Sequence, residues 1–173
     1  MPAASAVSRL AVRLALIVTV VTTVGCDRVT KHVATSTLAG RPMRSLLADT
    51  VRLAYVRNTG GFLSLGADMP EAVRTSVFIV AMGLLLLGLV AYGIRLRWRG
   101  WAAFGLALFV AGGLSNWVDR VLHGSVIDFI NIGVGTLRTG VFNVADVAIM
   151  AGVAIVLVSE FRRPGSQSRK ERP

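Results

Sequence analysis

Two aspartates, Asp128 and Asp146, each border a strongly apolar stretch of this chain. A carboxylate beside hydrocarbon is expensive and marks a functional site by default. Each has polar neighbours at fixed spacing: Asn116, Asp119 and Arg120 precede the first, and Asn143 lies three residues before the second. If the two acids meet in one dry pocket they cannot easily both ionise, and they would share a proton. One carboxylate then takes a proton from water while the other protonates a carbonyl oxygen or a leaving nitrogen. The chemistry expected is acid–base hydrolysis within a membrane. Asn58, Asn116, Asn143 and Arg120 are suited to orient a peptide backbone and to stabilise a tetrahedral intermediate.

Each motif also has a plainer reading. Asp27 and Lys31 are four apart, so on a continuing helix they share a face and can pair. Such a pair supports structure without doing chemistry. Asn58-Thr59-Gly60-Gly61-Phe62 reads by itself as a turn, with Gly60 permitting close backbone approach. Asn116, Asp119 and Arg120 fall at i, i+3 and i+4, and Arg120 is expected to clamp Asp119 as a helix-end ion pair. That makes Asp119 structural. Asp128 differs, being set among Val126, Ile127, Phe129 and Ile130 with no basic neighbour, so desolvation should raise its pKa. Asn143 could cap a helix with Asp146 in the first turn. The aliphatic run that follows places that acid at or below a membrane interface.

Composition supplies the setting. Of 173 residues 54% are hydrophobic and only 16% charged, which is too apolar for an ordinary soluble domain. Mean hydropathy is +0.66. The expected fold is an all-α membrane protein of four transmembrane helices with a small extracytoplasmic β-cradle. One domain, residues 1–163, holds spans at about 10–26, 73–94, 101–118 and 141–161 and an outer cradle at about 38–70. The cradle rests on the weak alternation of Val51–Arg57 and the turn signal after it. The first and third spans are short for a bilayer, so their ends are expected to extend into the polar motifs that follow.

The net charge of +10 sits in clusters that flank the apolar runs, which argues against a nucleic-acid partner. Arg9 and Arg13, then Arg95, Arg97 and Arg99, then Arg162, Arg163, Arg169, Lys170 and Arg172 all fall on one side of a four-span bundle. By the positive-inside rule both termini are cytoplasmic and the motifs face outward, near the outer leaflet. Residues 164–173 are expected to form a disordered basic tail. The lone Cys26 permits no intrachain disulfide, and His32 and His123 have no thiolate partner, so no metal site is expected. Nor is there a phosphate-binding glycine loop.

Taken together, Asp27…Lys31, Asn58-Thr59-Gly60, Asn116-Trp117-Val118-Asp119-Arg120, Val126-Ile127-Asp128-Phe129 and Phe142-Asn143-Val144-Ala145-Asp146 resemble the signal peptidase II family, in order and across nearly the whole chain. The resemblance implies an aspartic endopeptidase of the bacterial inner membrane. It implies removal of signal peptides from diacylglyceryl-modified prolipoproteins, with membrane lipids around it and the cyclic peptide globomycin as inhibitor. It implies Asp128 and Asp146 as the catalytic dyad and Asn58, Asn116, Arg120 and Asn143 as lining substrate. Asp27, Lys31, Gly60 and Asp119 would support them. No cofactor is implied, and a single bundle with its site between its own helices suits a monomer. Two departures stand out. Ser115 replaces the family's usual glycine before Asn116, and Phe62 follows the Asn-x-Gly motif one residue early.

Two other function classes fit parts of the pattern. A small ion-translocating protein would use the two acids as relays near mid-span. Alternatively Thr23-Val24-Gly25-Cys26 could end a lipoprotein signal peptide, although Thr23 fits that motif poorly and cleavage would leave an odd number of spans.

Overall fold

The structure, a computed structural model, describes residues 3–60, 66, 68–95 and 100–162, with side chains from Leu10 onward. Phe62 and its loop, the connection with Arg97 and Arg99, Arg163 and the tail at 164–173 lie outside those residues, as does the side chain of Arg9.

Four helical segments are long and apolar enough to cross a membrane: Leu10–Leu38, Glu71–Arg95, Gly100–His123 and Val144–Phe161. Helices satisfy every backbone group internally, which a bilayer demands. The first span lies within α1 (Ala3–Leu38), which runs well past the expected end near Cys26 and carries Asp27 and Lys31 on its C-terminal turns. The second span is composite. It comprises α2 (Glu71–Thr75), a π-helical segment (Ser76–Ala81) and α3 (Met82–Arg95). α4 (Gly100–His123) carries the Asn116 motif near its C-terminal end. The last helix, α5 (Val144–Phe161), begins three residues later than the expected 141 because Asn143 is its cap. Large apolar side chains such as Leu84 and Leu87 stay exposed, as a lipid-facing surface requires.

Antiparallel α4 and α5 meet along a seam of small residues. A Cβ on Gly112 would lie 2.4 Å from the carbonyl oxygen of Ala145, and one on Gly105 2.8 Å from that of Gly152. Close approach through small residues is how membrane helices gain packing where no hydrophobic drive exists between them. Gly112→Ala should therefore lower the thermal midpoint in detergent. The helix-propensity gain of about 1 kcal/mol is outweighed by overpacking of about 1–3 kcal/mol, because the obstructing atom is backbone and cannot rotate away. An unchanged or raised midpoint would show that the seam yields.

One end of the bundle carries a four-stranded antiparallel sheet in the order β1 (Arg44–Leu46), β2 (Val51–Asn58), β3 (Val126–Val134), β4 (Leu137–Arg138). The expected cradle at 38–70 thus supplies only half of it, and the segment after α4 supplies the rest. β2 pairs with β3 so that Val56 faces Asp128 and Asn58 faces Val126, with an irregularity between Leu53 and Val56. Leu47, Ala48 and Asp49 turn the first hairpin with φ of 51°, 49° and 66°. Ser45 and Arg52 donate to the Asp49 carboxylate and hold its pKa far below the usual range. Ala34, Leu38 and Phe129 form a buried cluster with Leu53, Tyr55, Ile127, Ile130 and Val144 packed on it. That cluster fastens the sheet to the C-terminal turns of α1 and to the start of α5.

Candidate active site

Asn143 is the centre of the polar pocket. As the N-cap of α5 its side-chain oxygen accepts from the Asp146 backbone N–H (3.0 Å), and its own N–H donates to Asp146 Oδ2 (3.1 Å). This reciprocal capping box satisfies two otherwise orphaned donors. The remaining amide hydrogens of Asn143 reach Asp128 Oδ1 at 2.6 Å and Asn116 Oδ1 at 3.3 Å. One residue, itself fully buried, therefore holds both aspartates. Asp128 is 2% exposed and Asp146 7%, so the two acids lie in one dry pocket.

The other oxygens of the pair are also met by amides. Asn58 donates to Asp128 Oδ2 at 2.8 Å, reaching diagonally across the β2–β3 pairing. Asn116 donates to Asp146 Oδ1 at 2.9 Å from the C-terminal part of α4. Burial pushes the Asp128 carboxyl above its ordinary pKa, against the opposing pull of the Asn58 and Asn143 amides. The direction agrees with the expectation from its apolar sequence neighbours.

Arg120 behaves differently from the expected clamp. It makes no ion pair with Asp119; its guanidinium donates to the carbonyl oxygens of Gly60 and Asn116. It also lies 5.5 Å from the centroid of the Phe78 ring, within cation–π range. The Gly60 N–H donates to Asn58 Oδ1 at 2.9 Å, so Gly60 is tied on one side to Arg120 and on the other to the amide that holds Asp128. The π-helical segment presents Phe78 here. The Trp117 indole donates to the Ile79 carbonyl at 2.8 Å and packs over Gly83. Single π turns inside helices recur at functional sites, and no sequence period reveals them.

Behind the pair lies a buried ionic network. Lys31 Nζ stands 2.7 Å from each of Asp27 Oδ2, Asp119 Oδ2 and Asn116 Oδ1. Arg28 completes the group by pairing with Asp119. Two acids and two bases leave no net charge, and charge neutrality is what makes such burial tolerable. Asp27 Oδ1 also accepts from the Ala145 backbone N–H at 2.9 Å, another orphan donor at the start of α5. Ser115 donates to Asp27 Oδ2 at 2.7 Å. Arg28 did not stand out in the sequence, and Ser115 did so only as a departure, with no role assigned. The signal for Ser115 was its hydroxyl where a glycine is usual; for Arg28 it was a charge beside Asp27 inside an apolar run. Among the described residues no group of three His, Cys, Asp or Glu side chains could hold a metal ion.

The fold and the pocket together define a membrane-spanning protein with two buried carboxylates held at one end of its helical bundle, one on a strand and one in a first helical turn. The family model for signal peptidase (SPase) II matches residues 18–162. The chain belongs to the signal peptidase II family, a family of bacterial membrane proteases that process lipoproteins. A lipoprotein signal peptidase of Rhodococcus jostii (strain RHA1) is 36% identical over 153 residues, covering 84% of this chain and 72% of that protein. One from Syntrophomonas wolfei is 33% identical over 132 residues, covering 76% and 83%. A bacterial membrane enzyme solved by the in meso method at 2.3 Å shares the fold with a TM-score of 0.77 at 24% identity, over 92% of this chain and 94% of that one.

Proposed function

We propose that this chain is an aspartic endopeptidase that cleaves signal peptides from diacylglyceryl-modified prolipoproteins, with Asp128 and Asp146 as the catalytic dyad. The observation that carries this reading is the joint hold of Asn143 on both carboxylates in a pocket closed to bulk water. With one proton between them, the ionised member removes a proton from water as the water oxygen attacks the scissile carbonyl carbon. The protonated member then gives its proton to the leaving nitrogen, and the C–N bond breaks. The single negative charge of that state is balanced by Arg120. Asn58, Asn116 and Asn143 act twice in this scheme: they fix the carboxylates and, with Arg120, they line the path of an extended peptide. Asp27, Lys31 and Asp119 support them, and Gly60 lets the chain pass close to Arg120.

Both termini are placed in the cytoplasm of a bacterial inner membrane and the pocket near its outer leaflet. Support comes from Arg13, Arg95 and Arg162, which lie at the end of the bundle opposite the pocket. An ion relay would want acids near mid-span, whereas Asp128 sits in a strand and Asp146 in the first turn of α5. Cys26 sits within the unbroken α1, one residue before fully buried Asp27, so cleavage before it would sever the first span from the pocket.

The test is cleavage of a diacylglyceryl-modified prolipoprotein by the purified protein in detergent, read as a gel shift. Activity should survive a metal chelator and fall with globomycin. Its pH profile should be bell-shaped, since only the singly protonated pair works. The acid limb reports a second proton entering the pair. The alkaline limb reports loss of the shared proton, and the raised pKa of Asp128 carries that limb above the ordinary carboxylate range near 4. A rate that climbs from acid to alkaline pH without a ceiling would exclude a shared-proton dyad.

A further inference from the structure

At the end of the bundle opposite the pocket, α4 and α5 enclose a groove of about 310 Å³ lined by Trp101, Ala154, Ile155, Val158, Ser159 and Arg162. Its origin lies in the seam. Gly112 meets Ala145 and, two turns on, Gly105 meets Gly152. Beyond Gly105 the lining passes to Trp101 on α4 and to Ile155, Val158 and Ser159 on α5, where no such close backbone pair continues the seam. Trp101 is 72% exposed and braces edge-on against Phe104 at 6.1 Å, so it forms one wall and leaves the gap open.

The lining is divided in character. Ala154, Ile155 and Val158 make an apolar floor long enough for part of an acyl chain. The Ser159 hydroxyl is already occupied, donating to the Val156 carbonyl at 2.8 Å. Arg162, at the end of α5, is exposed and makes no ion pair among the described residues. Near it in sequence, Arg163, Arg169, Lys170 and Arg172 outnumber Glu160 and Glu171, and Arg95, Arg97 and Arg99 precede the start of α4. An apolar slot with an indole at its mouth and a guanidinium at its end matches an amphiphile with an anionic head. Basic pockets between transmembrane helices take up such lipids. A zwitterionic lipid would fit the slot but gain little from the charge, and a free phosphate would leave the apolar floor unfilled.

We propose that this groove binds one anionic phospholipid, with an acyl chain along Ala154 and Val158 and the phosphate on Arg162. The site is separate from the carboxylate pocket, and its test does not depend on catalysis. The purified full chain in detergent is mixed with phosphatidylglycerol or phosphatidylcholine, and bound lipid is counted by native mass spectrometry. Wild type should retain one phosphatidylglycerol in clear preference to phosphatidylcholine. Arg162→Gln should weaken phosphatidylglycerol retention by about fivefold, the contribution of one basic residue near a phosphate, and remove the preference. Ala154→Leu, which fills the floor, should lower retention of both lipids. A thermal unfolding midpoint in detergent close to that of wild type reports that each variant is folded. Equal retention of the two lipids by wild type would overturn the proposal. So would wild-type retention of phosphatidylglycerol by either variant, which would place the lipid elsewhere on the basic surface.

Discussion

Asp128→Asn and Asp146→Asn should each abolish prolipoprotein cleavage, with a loss of about 10³–10⁴-fold or more. Each substitution preserves size and removes a group that can gain or release a proton. The hydrogen bonds predict a second, smaller effect. Both oxygens of Asp128 accept from amides, Asn143 on one and Asn58 on the other. An asparagine there must turn its own N–H₂ toward one of those donors. Neither donor can flip without loss, since Asn143 Oδ1 caps α5 and Asn58 Oδ1 holds the Gly60 N–H. The same conflict arises at Asp146, between Asn116 and the Asn143 backbone. Each variant should therefore unfold somewhat more readily, by about 1–3 kcal/mol, while losing far more activity than that deficit explains. Asp49→Asn, in the exposed hairpin turn, serves as the control and should keep full activity. A folded dyad variant that still cleaves would remove that residue from the chemistry.

Lys31→Met should produce the largest loss of stability of any single polar substitution outside the dyad, about 3–5 kcal/mol. The ammonium is 4% exposed and sits between two carboxylates. Its removal leaves a net negative charge in a dry place, which is worse than having no charges there at all. It also frees the Asn116 amide. Lys31 can only donate, so it fixes the Asn116 oxygen toward itself and the nitrogen toward Asp146. Activity should accordingly fall even at temperatures where the variant is fully folded. Lys31→Met combined with Asp119→Asn restores neutrality, with Asp27 and Arg28 as the remaining charges. The double variant should be more stable than Lys31→Met alone, measured by thermal unfolding in detergent. If the two losses simply add, charge balance is not what holds the network together.

Much of this site was legible because its residues are expensive where they stand. Asp128, Asp146, Asp27 and Lys31 announce themselves as ionisable groups at the margins of apolar runs, and the i, i+4 spacing of Asp27 and Lys31 gave their pairing directly. The Asn143 cap could be read because the start of a helix has a local chemistry of its own. What escaped was anything set by partners distant in sequence. Adjacent letters suggested that Arg120 would clamp Asp119. On a helix neighbouring residues diverge by about 100°, so Asp119 turns to α1 while Arg120 turns to the Gly60 loop. The strand partner of Val51–Asn58 was likewise hidden. Val126–Val134 carries Asp128 between apolar residues, with no strict alternation to betray an edge-to-edge pairing across a whole helix pair. The π turn at Ser76–Ala81 has no composition signature in so uniform an aliphatic run.

The capping box at Asn143 joins two properties that enzymes usually keep apart. The residue whose bonds begin the last helix also holds Asp128 through its side-chain amide, so one residue sets both acids. A frayed first turn therefore disassembles the chemistry at once, and a well-aligned pair of acids guarantees an intact helix start. Activity in such a molecule is its own folding reporter. Gradual drift of one acid relative to the other, the ordinary way an active site ages by mutation, is closed off here, because any residue replacing Asn143 must satisfy a helix and a reaction together.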